Sequence, residues 1–206
     1  MLCMVGCAPD GIHLEWQVLA GTDPVACGDL AMPATVEASA SDLLGRHDAT
    51  FACEDGEGTF EPALVDGETT TWNVTADLIA RDATFLDRGL ELPIMHEGGT
   101  RTDAPAFTFQ VAGPVLVSWH ITSAQNGDVG CGVAGAATVR VVIADASKDF
   151  ACGDTMGELA PVVFGAYEVD ASLLRADGSV LAQVSQPNVL ARGSAGLTTG
   201  FGFDVP

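Results

Sequence analysis

The chain contains two copies of one pattern, displaced by about a hundred residues, and this duplication restricts the possible folds more than any other feature. The matched positions in the first copy are Leu14, Trp16, Val18, Cys27 and Phe51-Ala52-Cys53, and in the second copy Val117, Trp119, Ile121, Cys131 and Phe150-Ala151-Cys152. The offset falls from 103 residues at Trp16 and Trp119 to 94 at Phe107 and Phe201. This period is too long for a solenoid and is typical of duplicated domains.

Alternation of apolar and polar residues predicts strands in both copies. The apolar series are Trp72, Val74, Ala76 and Leu78 in the first copy and Tyr167, Val169, Ala171 and Leu173 in the second. A period of two indicates strands with one buried and one solvated face. Asp82-Ala83 and Asp177-Gly178 then mark hairpin turns. A helical interpretation is disfavoured because apolar residues do not recur at spacings of three and four, and glycine and proline interrupt the chain repeatedly.

The same alternation predicts which side chains form the core of the second copy. The residues expected to be buried are Val139, Val141, Ile143, Tyr167, Val169, Leu173, Phe201 and Phe203, and those expected to be exposed are Arg140, Glu168 and Asp170. Trp16, Trp72, Trp119 and Tyr167 occupy the apolar phase of their strands. We therefore expect these aromatic side chains to be core residues rather than an exposed platform for sugars.

These patterns predict an all-β chain of two tandem antiparallel β-sandwich domains, at residues 12–112 and 115–206. Only Ala112-Gly113-Pro114 separates the last predicted strand of the first domain from the first predicted strand of the second. No apolar run long enough to span a membrane follows the first few residues.

The charge balance excludes some partners. The chain has 28 acidic and 8 basic residues, which gives a net charge of −20. Such a charge repels the phosphate backbone of nucleic acids and the surface of anionic lipids. We therefore expect no nucleic-acid partner.

Two cysteines occupy matching places in each copy, 26 residues apart in the first and 21 in the second. No Cys-x-x-Cys motif is present, so disulfides are favoured over a metal knuckle, with free buried thiols as the alternative. Because each copy can satisfy its own pairing, the duplication predicts that Cys27 bonds to Cys53 and Cys131 to Cys152. Disulfides in turn indicate an oxidising compartment.

The segment Met4-Val5-Gly6-Cys7 resembles a bacterial lipobox, in which the cysteine is lipidated after cleavage of the signal peptide. Met4 stands where leucine is usual, and no basic head or full apolar stretch precedes it. The resemblance implies lipidation at Cys7, with residues 1–11 as a remnant signal and tether. The alternative is an N-terminal arm in which Cys3 and Cys7 have no role.

Candidate chemistry is sparse in this sequence. Acidic residues follow the second cysteine of each copy, and we weigh a calcium site against a solvated loop at Glu54, Asp55, Glu57, Asp154 and Glu158. No two histidines share a metal-ligand spacing; His13 and His120 are expected to face solvent, and His96 to lie in a loop. No nucleophile, base and orienting residue can be assembled, so we expect no enzyme and no cofactor.

One motif resembles a known group of proteins. Phe164-Gly165-Ala166-Tyr167-Glu168-Val169, followed by Leu173 and the Asp177-Gly178 turn, is similar to the Gly-x-Tyr-x-Val segment of prealbumin-like and Ig-like modules. The whole repeat resembles uncharacterised two-module lipoproteins of delta-type proteobacteria, including myxobacteria. The resemblance implies a monomeric, noncatalytic lipoprotein of the cell envelope, at the outer membrane or in the periplasm, or otherwise a secreted protein.

Such a protein acts as a spacer, an adhesin or an accessory module that binds a protein or a glycan. A membrane contact is then expected only through a lipid at Cys7. The alternative function is hydrolysis at a site formed by loops between strands.

Overall fold

A computed structural model describes residues 10–43, 45–62 and 67–206. Cys3, Cys7 and the predicted lipobox lie outside the described residues. The chain divides into two compact units, Met1–Val111 and Ala112–Pro206, which we call the first and second modules. Among the described residues, no helix has the length and apolar character needed to cross a membrane.

The first module consists of short and medium strands in two sheets. Its strands are β1 Gly11–Ala20, β2 Asp23–Pro24, β3 Ala34–Ser41, β4 Arg46–Ala52, β5 Glu57–Phe60, β6 Thr69–Ala80, β7 Phe85–Arg88, β8 Leu92–Glu97, β9 Arg101–Asp103 and β10 Phe107–Gln110. In one sheet β1 pairs with β2, β5, β9 and β10, and the other has the order β4-β3-β6-β7, with β8 also paired to β6.

The second module repeats this arrangement with fewer strands. They are β11 Ala112–Ser123, β12 Gly127–Asp128, β13 Thr138–Ile143, β14 Ala146–Ala151, β15 Met156–Val163, β16 Gly165–Leu174, β17 Val180–Ala191 and β18 Leu197–Val205. One sheet joins β11 to β12, β15 and β18, and the other has the order β14-β13-β16-β17. A four-residue helix, α1 (Cys131–Ala134), precedes β13.

The predicted all-β fold of tandem β-sandwiches is confirmed, with one difference in strand direction. Most pairs are antiparallel, but the first strand of each module runs parallel to its last, β1 beside β10 and β11 beside β18, and β1 is also parallel to β9. Ala112-Gly113-Pro114 does not form a separate connection as predicted. These residues begin β11, and Ala112 and Gly113 pair with Val163 and Val162 of β15.

The predicted core alternation holds along most of the second module. Val139, Val141, Ile143, Val169, Leu173, Phe201 and Phe203 are buried as expected, in one cluster built from both sheets. Two expectations are wrong: Tyr167 and Asp170 are each only partly exposed. Tyr167 lies beside a bulge in the β16–β17 pairing, and its hydroxyl donates a hydrogen bond to the Val163 carbonyl 2.9 Å away. Its polar end therefore remains near the surface.

In each module a disulfide links the two ends of a strand pair, from before β3 to after β4 in the first module and from before β13 to after β14 in the second. Cys27 is bonded to Cys53 and Cys131 to Cys152, with Cα–Cα distances of 5.7 and 5.9 Å. This is the pairing that the duplication predicts. Closing loops of this length destabilises the unfolded chain by about 3 kcal/mol each on the loop-entropy model.

The same tryptophan contact accompanies the disulfide in both modules. The indole N–H of Trp16 donates to the carbonyl of Cys53, and that of Trp119 donates to the carbonyl of Cys152, each over 2.9 Å. Phe51 and Phe150 pack on these indoles with ring centroids 5.7 and 5.6 Å apart. Because the tryptophans lie on β1 and β11 and the phenylalanines on β4 and β14, each contact joins the two sheets of its module.

A glycine makes room for each phenylalanine ring. A Cβ atom on Gly58 would overlap Phe51, and one on Gly157 would overlap Phe150. Gly153 lies in the adjacent turn, where a Cβ atom would meet nothing within 4 Å. Gly157 and Gly153 therefore form a matched pair in which only one position requires the absence of a side chain.

We expect Gly157→Ala to destabilise the second module by about 2 kcal/mol, because the new methyl group displaces Phe150 from Trp119. Gly153→Ala is expected to change the free energy of unfolding by less than about 0.5 kcal/mol. Denaturant unfolding of both variants, compared with the unmodified protein, measures the difference. Equal effects of the two substitutions would show that the ring is not held against Gly157.

Candidate functional site

Within the described residues, neither of the acidic loops weighed as calcium sites forms a group of three potential ligands from its own acidic residues. Glu54 and Asp55 are exposed in the turn Cys53–Asp55, and Asp154 is exposed in the turn Cys152–Asp154. Glu158 lies on β15 opposite Leu116. Of the five, only Glu57 joins a group of three potential ligands within the described residues, and its companions are His13 and Glu15. Calcium binding at these loops stays the alternative to a solvated acidic loop.

The prediction that His13 faces solvent is wrong. His13 lies on β1 between β5 and β9, opposite Thr59 and Asp103, and is only 5% exposed. Its Nδ1 atom lies 3.1 Å from the Thr59 hydroxyl. Its Nε2 atom is buried without a hydrogen-bond partner. A neighbouring strand on each side covers the imidazole, which the alternation of β1 alone does not reveal.

His96 also departs from its prediction. It lies on β8 rather than in a loop, is 2% exposed, and has Nδ1 3.0 Å from the Thr102 hydroxyl. Burial lowers the pKa of His96 below its ordinary value, because the charged imidazolium loses hydration inside the protein. By contrast, His120 is exposed on β11.

The lowered pKa of His96 predicts a pH dependence of stability. As pH falls below about 6.5, the unfolded chain takes up a proton at this position before the folded protein does, so folding becomes less favourable. We expect the difference in melting temperature between the unmodified protein and His96→Gln to decrease as the pH is lowered from 7.5 to 5.5. Thermal melts at several pH values measure this, with His120→Gln as the control for loss of an imidazole. Parallel profiles for the unmodified protein and His96→Gln would contradict it.

The first module carries a polar groove on the outward side of β3, β4 and β6. We call this surface the polar face; its volume is about 490 Å³, and its polar lining residues are Glu37, Ser39, Ser41, Arg46, Asp48, Thr50, Thr75, Asp77, Arg88 and Glu91. Of the described residues that line it, none is aromatic. Alternation places these side chains outward because Val36, Ala38, Ala40, Val74, Ala76 and Leu78 fill the core from the same strands.

Two ion pairs orient the charged groups of the polar face. Arg88 contacts Asp77 through two hydrogen bonds of 2.6 and 2.8 Å, and Arg46 donates to Asp48 over 2.7 Å. The hydrogen bond from Arg46, assisted by one from Ser39, lowers the pKa of the Asp48 carboxyl. The Asp48 carboxylate therefore stays ionised beside Arg46. Arg88 is held over the groove by its two hydrogen bonds to Asp77.

At His13 the structure brings together a hydroxyl, an imidazole and a carboxylate, the three groups of a catalytic triad, but only one of the two contacts is of hydrogen-bond length. Thr59 lies within hydrogen-bond distance of Nδ1, while the Glu57 carboxylate is 3.5 Å from Nε2. The second distance is too long for the hydrogen bond with which a triad orients its histidine. Sequence reasoning missed this group because His13, Glu57 and Thr59 come together only through the β1–β5 register.

No family model matches the chain. No curated protein matches it either. Among solved structures, the chain is similar to a C-terminal fragment of the pilus adhesin SpaC from Lactobacillus rhamnosus GG, with 10% identity, a TM-score of 0.37, and coverage of 94% of this chain and 96% of that one. It is also similar to a candidate adhesin from Bacteroides ovatus, with 9% identity, a TM-score of 0.31, and coverage of 100% and 95%.

A third similar structure is a candidate polysaccharide-binding protein from Bacteroides thetaiotaomicron, with 6% identity, a TM-score of 0.33, and coverage of 95% of this chain and 91% of that one. Similarity at these TM-scores does not indicate a function for this chain. The fold assignment of this chain rests on its own strand pairing.

Proposed function

We propose that this chain is a noncatalytic binding protein of the bacterial cell exterior, and that the polar face of its first module binds a glycan. The observation that supports the proposal is the composition of that groove. Hydroxyl, carboxylate and guanidinium groups are held side by side on neighbouring strands of one sheet. A sugar hydroxyl both donates and accepts hydrogen bonds, so an array of fixed acceptors beside fixed donors is complementary to it.

The charge of the polar face favours a neutral ligand over an anion. Each arginine is already paired with an aspartate, and Glu37 and Glu91 add further negative charge at the groove. A phosphate or sulfate group would be repelled by these carboxylates. The scarcity of exposed apolar side chains in the groove also disfavours a hydrophobic anchor from a protein partner.

The location outside the cytoplasm is supported by the cysteines. Two disulfides are stable where the environment is oxidising. The lipobox-like segment ending at Cys7 supports attachment to an envelope membrane through a lipid. Under this proposal the protein is a monomer attached to the membrane through Cys7.

Binding of the purified protein to an array of neutral and acidic glycans tests the proposed ligand class. We expect binding to a neutral glycan, and we expect Thr50→Val with Thr75→Val to weaken it at least tenfold, because both substitutions remove a hydroxyl while keeping the side-chain shape. Ser172→Ala, which removes a hydroxyl from β16 of the second module, is the control. Absence of glycan binding, or binding unchanged in the double variant, would contradict the proposal.

Hydrolysis is the second candidate function, and the contact of Thr59 with His13 is the observation that favours it. Hydrolysis is distinguished from binding by incubating the protein with each glycan that it binds, and with a panel of ester substrates, and measuring product release. The proposal predicts no turnover above background. Turnover that is lost in Thr59→Val would establish the enzyme and sink the noncatalytic assignment.

A further inference from the structure

The outward side of β1 and β5 in the first module contains a histidine and two glutamates in close proximity. His13 and Glu15 lie on β1, and Glu57 is the cross-strand partner of Glu15 on β5. Candidate ligand atoms of the three side chains all lie within 4.8 Å of one another. This cluster is separate from the polar face, and the inference does not depend on glycan binding.

The imidazole of His13 is arranged as a metal ligand usually is. Its Nδ1 atom is occupied by Thr59, which leaves Nε2 directed toward the two carboxylates. When Nδ1–H donates to the threonine hydroxyl, Nε2 carries a free lone pair; ligating histidines are commonly held by such a second hydrogen bond. Nε2 is buried and has no hydrogen-bond partner, and an unsatisfied buried polar atom is unfavourable unless a ligand pairs with it.

The distances within the cluster fit a shared cation better than direct hydrogen bonds. Nε2 lies 3.5 Å from Oε2 of Glu57 and 3.7 Å from Oε1 of Glu15. Hydrogen bonds between such atoms are about 2.7–3.2 Å long. Two ligands about 2.1 Å from a tetrahedral zinc ion are separated by about 3.4 Å, which is close to both observed distances.

The two glutamates have an unfavourable arrangement unless a cation lies between them. They face each other directly across an antiparallel pair, where like charges are destabilising. Among the described residues, the only ion-pair partner of either carboxylate is His13. Arg101, on β9 opposite Gly11, is paired with Asp103, 2.8 Å away. A divalent cation would offset both negative charges.

The second module shows that the fold does not require this cluster. In the β11–β15 pair, Ser118 faces Met156 as Glu15 faces Glu57, and Leu116 takes the place of His13. Both modules share the buried tryptophan, phenylalanine, glycine and disulfide. In the second module, however, none of Leu116, Ser118 and Met156 is a histidine, cysteine or carboxylate. The cluster is therefore a property of the first module's surface and not of its scaffold.

We propose that His13, Glu15 and Glu57 bind a divalent transition-metal ion of the zinc type on the outer face of the first module. One imidazole nitrogen with two carboxylates suits zinc, whereas calcium prefers ligands that are all oxygen. The three side chains leave a fourth position open toward solvent, because both glutamate side chains are well exposed, at 63 and 66%. Water, or a side chain from a binding partner, completes the coordination there.

The test is titration of the full chain, stripped with a chelator, with zinc chloride and separately with calcium chloride. We expect one zinc ion to bind in the micromolar range or tighter, and calcium to bind at least a hundredfold more weakly. Zinc is also expected to raise the melting temperature of the first module, because it binds only the folded state.

Substitutions identify the ligands. Glu15→Gln and Glu57→Gln keep the side-chain size at exposed positions and are each expected to weaken zinc binding at least tenfold; His13→Gln is expected to abolish it. Thr59→Val is expected to weaken it about tenfold through the orientation of His13. Glu54→Gln and His120→Gln are the matched controls, since they remove a carboxylate from the turn just before β5 and an imidazole from the second module.

The glutamate variants keep the test decisive if His13→Gln fails to fold. No zinc binding at millimolar concentration, zinc affinity unchanged in both glutamate variants, or calcium bound as tightly as zinc would each overturn the proposal. Loss of glycan binding in the polar-face variant leaves zinc binding unaffected, so the two proposals fail separately.

Discussion

The hydrogen bond from an indole N–H to the carbonyl of a disulfide-bonded cysteine is the contact on which both modules depend. It joins a central strand of one sheet to the turn that ends the edge strand of the other, at Trp16 and Cys53 and again at Trp119 and Cys152. Breaking it would leave a buried donor or acceptor unsatisfied, at about 1–3 kcal/mol. The phenylalanine ring packed on the indole adds about 0.5–1.5 kcal/mol, and the disulfide about 3 kcal/mol. Because a domain is stable by only about 5–15 kcal/mol, this small group is a large part of the total.

Because buried groups stabilise each module, the residues that face solvent can differ between the modules. The two modules use the same buried groups, but their surfaces differ in chemistry: ion pairs and hydroxyls form the polar face of the first, and Leu116 and Met156 are exposed on the second. A strand presents every second residue to solvent, so a substitution there changes the surface without disturbing the core. The two surfaces for which we propose binding, the polar face and the group of His13, Glu15 and Glu57, lie on sheet faces of the first module.

Much of the fold could be predicted because the core pattern is short-range. Alternation along β6, β16 and β18 identifies the buried residues, and duplication of the cysteines restricts their pairing. The parallel pairing of first and last strands could not be predicted, because it joins residues far apart in sequence. Ala112-Gly113-Pro114 reads as a linker by composition, yet β15 supplies pairing partners for its first two residues.

The candidate sites were less predictable than the fold. His13 stands in the polar phase of its strand and is nevertheless buried, because β5 and β9 flank it. Glu57 was singled out for its acidic loop, whereas its neighbours in space come from a strand more than forty residues earlier. Register between strands decides which polar side chains meet, and a single sequence contains little information about register.

Hydrogen exchange of the tryptophan indoles, followed by NMR, tests the account most directly. In the oxidised protein the indole N–H groups of Trp16 and Trp119 should exchange only when their module unfolds, and reduction of the disulfides should accelerate both by about a hundredfold, the equivalent of about 3 kcal/mol. Indole signals that exchange within seconds in the oxidised protein, or at the same rate before and after reduction, would contradict a common anchor in the two modules.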